Sequence, residues 1–351
     1  MSSEFMPVLS CPIPKTDYDT IQMAHGAGGR LSAELINKFF LPHFGNPVLN
    51  KLDDQAVLDL PAGRLAISTD SFVVDPLFFP GGNIGDLAIN GTVNDVAMSG
   101  AQPLYLTAAF VIEEGLPLET LLAVILAMAE AAKNAGVTIV TGDTKVVNRG
   151  QCDKLFITTT GIGIVPPSLQ ISAGNLKPGD KVILSGTIAD HGMAILTTRK
   201  GLSFKSHVAS DTAPLNGLVN AMLAVTREIH ALRDPTRGGV AMTLNEFATS
   251  SNVGILIHES RVPVKPTVQG ACEVLGIDPL LVANEGKLVA IVPAEQADRV
   301  LQAMQNHPLG GDSVILGEVT AENPGLVVMR TRLGTHRIVD TPLGEQLPRI
   351  C

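Results

Sequence analysis

Twice in the first half of the chain an apolar run with strand character stops on an acidic residue. Leu65-Ala66-Ile67-Ser68-Thr69 ends at Asp70, and Val137 to Thr141 ends at Gly142-Asp143-Thr144-Lys145. Between and around them the apolar spacing changes from two to three or four, through Leu87, Ala88, Gly91, Val96 and Ala97 and again through Leu118, Leu121, Leu122, Ile125 and Ala129. Pro117 near the first turn and Gly136 at the stop frame the second of these helices. Strands at Tyr105 to Ile112 and Leu155 to Ile164 complete the half, which reads as β-α-β-β, a ferredoxin-like order of elements. Trp is absent and aromatics are 4% of residues, so Ala, Val, Ile and Leu must fill the core, a composition suited to α/β layers.

Pro166-Pro167 and Leu176-Lys177-Pro178-Gly179-Asp180 mark a linker. Beyond it the alternation resumes: strand Val182 to Ser185, helices near 190–199 and 215–229, strands near 254–258, 288–292 and 314–319, and a helix over 294–306. A chain of 351 residues with 45% hydrophobic content has material for two cores. The expected organisation is a flexible segment with a Gly-rich loop over 1–40, a first domain over 41–166, a second α/β domain over 176–330 and a mobile tail over 331–351. The expected class is α/β (α+β) with two domains.

The net charge of −9 and a pI near 5.4 argue against a nucleic-acid or anionic-membrane surface. The longest apolar run, Leu116 to Ala132, is broken by Glu119 and Glu130, so no membrane span is expected. Cys11, Cys152, Cys272 and Cys351 are widely spaced with no CxxC pair, which speaks against a zinc site and a disulfide framework and for a reducing, cytoplasmic setting.

Three features carry chemistry. The first is the turn-prone loop His25-Gly26-Ala27-Gly28-Gly29-Arg30 running into a helical pattern; its bare N–H groups suit an anion, although it matches neither P-loop nor GxGxxG spacing. The second is a set of aspartates, Asp54, Asp70, Asp95 and Asp143, each beside a strand or helix end, where α/β folds place ligands. Held close together, such carboxylates repel unless a cation joins them, and oxygen-only ligands point to Mg²⁺ completed by waters and phosphate. Lys145 adds a positive charge for a phosphate. Taken singly, each aspartate is an ordinary turn former or helix cap. The third is the terminal Pro348-Arg349-Ile350-Cys351, a thiol beside a free carboxylate. From Thr331 to the end are 21 residues, enough to reach roughly 60–70 Å when extended. Prenylation is excluded, because that motif needs its cysteine fourth from the end.

Together, His25-Gly26-Ala27-Gly28-Gly29, Ser68-Thr69-Asp70-Ser71, Gly91 to Ala97, Thr141 to Lys145, Asp234-Pro235-Thr236-Arg237-Gly238-Gly239, Asn284-Glu285-Gly286-Lys287 and the final Pro-Arg-Ile-Cys resemble the HypE family of hydrogenase maturation proteins. That family sits in the ATP-binding superfamily shared by aminoimidazole ribonucleotide synthetase and selenophosphate synthetase. The resemblance runs from about Met23 to Cys351, with a longer lead-in, carrying Cys11, than the family leads one to expect.

The resemblance implies an ATP-dependent carbamoyl dehydratase. A partner carbamoyltransferase would load Cys351. This chain would then use ATP and Mg²⁺ to remove water, leaving a protein-bound thiocyanate whose cyanide passes to iron in a scaffold complex for the NiFe-hydrogenase centre. It further implies Asp54, Asp70, Asp95 and Asp234 as Mg²⁺–phosphate ligands. Gly142, Asp143 and Thr144 would border the nucleotide with Asn94, Gly28 and Gly29, and Lys145 would stabilise the transferring phosphoryl group. Glu285 or His25 would act as base or positioner. His191 and His258 read as ordinary structural histidines. By the same analogy, the first domains of two chains would pair across their sheets in a homodimer.

A sibling enzyme that phosphorylates a free small molecule is the nearest competing reading. Selenophosphate synthetases carry a Cys or selenocysteine and a Lys in the Gly-rich loop, where this chain has His25 and no cysteine. A non-catalytic scaffold is the other, and it requires Asp95 to be dispensable.

Overall fold

The computed structural model describes residues 13–201, 208–341 and 349–351. Cys11 and Pro348 lie outside the described residues.

The N-terminal sheet has the order β1-β6-β4-β5, with β1 (Arg64–Phe72), β4 (Gln102–Glu113), β5 (Thr138–Val147) and β6 (Leu155–Val165); two short strands, β2 (Phe78–Phe79) and β3 (Gly82–Asn83), form a separate pair. Helices α3 (Ile84–Met98) and α4 (Leu118–Ala135) cover one face. Asn83 caps α3 by accepting the N–H groups of Gly85 and Asp86, while Asp86 returns the bond to the Asn83 N–H. Gly136, at φ 70°, stops α4.

The main elements thus run β1-α3-β4-α4-β5-β6, which corrects the expected β-α-β-β, ferredoxin-like order. The 18-residue α4 carries the chain across the sheet, so β4 and β5 pair in parallel, whereas β6 returns antiparallel against both β4 and β1. Among the described residues no helix covers the opposite face of this sheet. Along it lie Leu65 and Ile67, 52% and 64% exposed, with half-buried Ile162, Ile164, Tyr105 and Val111 beside them.

Residues 30–44 form one helical segment, α1 (Arg30–Leu35), a π-type turn (Ile36–Phe40) and α2 (Leu41–Phe44). Leu35, Phe39, Phe40 and Phe44 lock this segment into the N-terminal core against Phe110 and Ala108. The helix crosses residue 40, and Ile21 and His25 before it are buried as well. From Ile21 on, this stretch therefore packs into the first domain, which differs from the flexible lead-in expected over 1–40.

The second domain is a seven-stranded sheet, β13-β12-β9-β11-β7-β10-β8. Its strands are β7 (Lys181–Leu184), β8 (Ala231–Arg233), β9 (Gly254–His258), β10 (Val289–Val292), β11 (Val314–Thr320), β12 (Val327–Arg330) and β13 (His336–Ile338). Its helices are α5 (Asp190–Arg199), α6 (Asn216–Val225), α7 (Gly239–Ser251), α8 (Pro266–Leu275) and α9 (Ala294–Gln305). Val182 and Leu184 enter one core with Val240, Leu244 and Phe247, while Ile183 enters the other with Leu218, Met222, Val300 and Met304. Burial on both faces explains why β7 and β10 read as unbroken apolar runs.

Two further differences concern the tail. β13 pairs antiparallel with β12, and Val339 is buried in the second core, so the chain just past Thr331 stays in the sheet. The last three residues are docked as well. A main-chain carboxylate oxygen of Cys351 accepts the Val73 N–H at 3.1 Å, the Arg349 carbonyl accepts the Asp75 N–H at 3.4 Å, and Ile350 is buried in the N-terminal core.

Candidate functional site

The domains meet at α3. Asn94, 1% exposed, donates from Nδ2 to the carbonyls of Ala213 (3.1 Å) and Glu285 (3.2 Å), and its Oδ1 accepts the Leu215 N–H (2.7 Å). This residue brackets the two domains. It also fixes Glu285, whose N–H is held by Asp211 Oδ1 at 3.1 Å, with Lys287 Nζ 3.1 Å from Asp211 Oδ2. Glu285 is 3% exposed, and its Oε1 has no hydrogen-bond partner among the described residues.

Around it gather Asp70 on β1, Asp95 on α3 and Asp234 just past β8. Burial is the largest influence on all of them. It pushes Asp70 up; it also pushes up Asp95, whose Oδ2 accepts the Ser68 hydroxyl at 2.7 Å, and Asp70 adds repulsion there. Asp234 is pushed up to about 7 by burial, with Asp95 and Asp70 adding repulsion and Arg233 opposing. Glu285 lies well above the ordinary carboxylate range through burial, then through the fields of Asp234, Asp211, Asp70 and Asp95. These groups sense one another strongly, as carboxylates sharing a low-dielectric site must. Among the described residues, though, no three His, Cys, Asp or Glu side chains converge closely enough to hold a metal ion by themselves.

Cys351 belongs to this cluster. Burial pushes its thiol up to about 12, the carboxylates of Glu285 and Asp70 add to the rise, and the Arg237 guanidinium, in hydrogen-bonding contact, opposes it. Reasoning from sequence took Asp234 from the Asp-Pro-Thr-Arg-Gly-Gly motif and passed over Arg237. The motif's glycines carry the clue, since Gly238 and Gly239 take φ of 78° and 63° and a Cβ on Gly239 would sit 2.6 Å from the carbonyls of Leu280 and Val282. The turn thus packs tightly on 280–282 and presents Arg237. His191, read as an ordinary structural residue, was also passed over; it is fully buried and its Nε2 lies 2.9 Å from the Ile350 carbonyl.

A second group surrounds a cavity of about 410 Å³ between the helical segment 30–44 and β5. Its polar rim includes His25, Gly28, Gly142, Asp143, Thr144 and Lys145, and its apolar wall includes Leu35, Phe40, Phe44 and Leu52. Lys145 Nζ lies 2.9 Å from Asp143 Oδ2, both side chains being exposed. Gly142 must be glycine, because a Cβ would lie 2.2 Å from the Ala108 carbonyl oxygen. Gly28 takes φ 77° and donates its N–H to Ser32 Oγ, and Gly29 precedes α1 as its N-cap. His25 Nδ1 accepts the Gln22 N–H at 2.9 Å and its ring stands edge-on to Tyr18, so one nitrogen is committed to a local cap. His25 and Glu285 therefore lie in different places, His25 in the cavity lining and Glu285 near the cysteine.

Asp54 joins neither group. It is exposed in the loop after Leu49–Lys51, although its neighbours Asp53 and Gln55 line the cavity. The two groups are linked through the sheet: Asp70 pairs with Thr159, Thr159 with Ala108 and Ala108 with Gly142. Three interstrand steps of about 4.8 Å put the ends of that row roughly 14 Å apart. Among the described residues Cys152, Cys272 and Cys351 carry free thiols, and no helix is long and apolar enough to cross a membrane.

Residues 52–165 match the N-terminal domain of the AIR synthase related proteins, and residues 177–329 match their C-terminal domain. The carbamoyl dehydratase HypE of Azotobacter vinelandii is 53% identical over 332 residues, 95% of this chain and 97% of that protein. A crystal structure of the hydrogenase maturation protein HypE in complex with ATP superposes with a TM-score of 0.91 at 50% identity, covering 94% of this chain and 99% of that one. HypE in a crystal structure of a HypE–HypF complex superposes with a TM-score of 0.78 at 50% identity, over 90% of this chain and 100% of that one. The chain belongs to the HypE carbamoyl dehydratase family, on the two-domain frame of the AIR synthase related proteins.

Proposed function

We propose that the chain dehydrates an S-carbamoyl group on Cys351 to a thiocyanate, using ATP and Mg²⁺. The observation that carries this reading is the terminal thiol seated beside Glu285, Asp70 and Arg237. An amide oxygen is a poor leaving group, so it must first take the γ-phosphoryl group of ATP. One N–H proton is lost as the C–O–P linkage forms. Loss of the second N–H proton with departure of phosphate then forms the C≡N bond, leaving the sulfur bonded to carbon throughout.

Glu285 is the base in this reading. It is buried beside the cysteine, its Oε1 has no partner among the described residues, and a carboxylate with a raised pKa is the stronger base once ionised. Arg237 stands where it can meet negative charge building on the carbamoyl oxygen. The nucleotide suits the 410 Å³ cavity, its base against Leu35, Phe40 and Phe44 and its phosphates toward Gly28, Gly29, Gly142, Asp143, Thr144 and Lys145. The donor set fits Mg²⁺: Asp70, Asp95 and Asp234 offer oxygen ligands only, and this ion completes its shell with phosphate and water rather than a protein cage. A divalent cation supplies the counter-charge that lets these buried carboxylates ionise together. Asp54 would join them only by movement of its loop or from a second copy.

A docked thiol held near 12 is ionised to about one part in 10⁵ at neutral pH, too little for acylation. The seat therefore suits a neutral, acylated sulfur, and loading by a carbamoyltransferase belongs to a withdrawn tail. The HypE–HypF complex of the relative supports such a partner. An iron-binding scaffold would take the cyanide. The open sheet face bearing Leu65 and Ile67 supports pairing with the same face of a second copy, and the location is cytoplasmic in this reading.

Glu285→Gln tests the assignment. With Cys351 carbamoylated, the variant should retain the carbamoyl group in the presence of Mg-ATP, with dehydration slowed by about 10² or more. Dehydration at the unaltered rate would exclude Glu285 as the base.

A further inference from the structure

His191 sits at the start of α5, 0% exposed, and both of its ring nitrogens are engaged. Nε2 is 2.9 Å from the carbonyl oxygen of Ile350, and Nδ1 is 2.8 Å from Ser210 Oγ. A carbonyl only accepts, so Nε2 carries the proton. In the neutral ring Nδ1 is then the acceptor, and the Ser210 hydroxyl must donate to it. Burial pushes His191 down, in keeping with a neutral ring. Ser210 Oγ in turn accepts the Thr212 N–H at 3.1 Å. A single oriented chain therefore runs from Thr212 N–H through Ser210 and His191 to the peptide carbonyl next to Cys351.

The rest of that loop is tied to the reaction site. Asp211 Oδ1 holds the Glu285 N–H, Thr212 Oγ1 accepts from Asn90 Nδ2 at 3.3 Å, and the Ala213 carbonyl accepts from Asn94. Contact there is close, since a Cβ on Gly286 would lie 1.7 Å from the Asp211 carbonyl oxygen. Arg199, one helix length from His191, donates to the Asp75 carbonyl at 2.6 and 2.9 Å and to the Arg349 carbonyl at 2.8 Å. The grip falls on the backbone carbonyls of residues 349 and 350, two residues and one residue short of the thiol.

We propose that His191 and Ser210 form a latch that seats the C-terminal peptide, and that loop 210–213 couples the seated tail to the placement of Glu285. His191 is a positioning residue: it touches the peptide before the cysteine and not the sulfur. The Ile350 side chain, buried beside Ile195 and Ala283, adds an apolar anchor. Holding the Ile350 carbonyl fixes the direction in which Cys351 leaves the core, which a flexible end could not do alone.

The inference deepens the dehydratase reading by taking Cys351 as the working thiol, and its test reads docking without any dehydration. The full-length protein is treated with iodoacetamide, and alkylation of Cys351 is followed by peptide mass spectrometry, with buried Cys272 as internal reference. Alkylation needs a withdrawn, ionisable thiol, so its rate follows the undocked population. His191→Phe keeps the ring's bulk against Phe79 and removes the donor. It should raise the Cys351 rate about tenfold while Cys272 stays protected. His191→Gln, which can still donate, should stay within about threefold of the parent. Ser210→Ala, which removes the hydroxyl that orients the ring, should fall between the two and serves as the readout if His191→Phe does not fold. Equal Cys351 rates in the parent, His191→Phe and Ser210→Ala, with Cys272 protected throughout, would overturn the latch and leave the dehydratase reading standing. Rates rising equally at both cysteines would overturn it too, because the histidine would then be holding the fold and not the tail.

Discussion

Asn94 gives the sharpest test of how the domains are held. Asn94→Ala removes three hydrogen bonds at a site that is 1% exposed. The Leu215 N–H is left without an acceptor, worth roughly 1–3 kcal/mol, and the carbonyls of Ala213 and Glu285 each lose a donor worth about 0.5–1.5 kcal/mol net. Because the bonds share one side chain they do not add fully, and about 3 kcal/mol is a reasonable sum. For a protein of this size that corresponds to a fall in Tm of roughly 4 °C. Asn94→Asp separates the parts. Its carboxylate can still accept from Leu215, but it turns negative oxygens toward two carbonyls and toward Glu285, so near neutral pH it should destabilise at least as much as alanine. On acidification the protonated carboxyl regains one donor, and part of the stability lost relative to the parent should return. Thermal melts of the three proteins across pH, followed by far-UV circular dichroism, read all of this. An alanine variant melting within about 1 °C of the parent would refute the bracket.

Other outcomes follow from neighbouring residues. Asp95→Asn should abolish phosphate release from ATP, by about 10² or more, while melting no lower than the parent, since burial already disfavours the Asp95 charge; unchanged turnover would remove Asp95 from the site and favour the scaffold reading. Asp86 is pushed up to about 6 by burial, the Asn83 N–H only partly opposing. Its ordinary value is about 3.9, so the folded state binds the proton more tightly, and stability declines as pH rises from about 4 to about 6. Asp86→Asn, whose amide oxygen can still accept from Asn83, should therefore stabilise at neutral pH by up to about 3 kcal/mol and lose that advantage near pH 4; equal melts at neutral pH would contradict the sign. Gly142→Ala drives a methyl to 2.2 Å from the Ala108 carbonyl, and should part β4 from β5, destabilise by about 2 kcal/mol or more and weaken ATP binding measured by calorimetry.

The sequence made the local elements legible where the period was clean. α3 begins after Asn83 and α4 ends at Gly136 because a capping box and a left-handed glycine mark those points in the residues themselves. Sheet order was not legible in the same way. It depends on α4 acting as a crossover, and a summary of strands and helices that drops one helix gives the wrong topology. The three-residue β8 and β13 carry no period at all and exist because neighbouring strands pair with them.

Glu285, Asp70, Asp95, Asp234 and Cys351 were singled out from motifs, and the fold brings them within range of one another's charge. Arg237, Ser210, Asp211 and His191 were missed because their roles depend on contacts up to 159 residues away, as between His191 and Ile350. An Asn beside an Asp in a motif suggests a ligand, and the sequence does not reveal that the Asn94 amide also bonds across the two domains.

The central claim is that Cys351 carries the carbamoyl group and loses water from it. The most direct test is intact-mass and C-terminal-peptide mass spectrometry. The protein is incubated with a carbamoyltransferase and carbamoyl phosphate, the transferase is removed, and Mg-ATP is then added or withheld. The account predicts a carbamoyl group on Cys351 that loses one water only when Mg-ATP is present. A Cys351 that stays unmodified while ATP is hydrolysed in the presence of a free small molecule would contradict it, and would assign the chain's chemistry to a diffusible substrate instead of its own terminus.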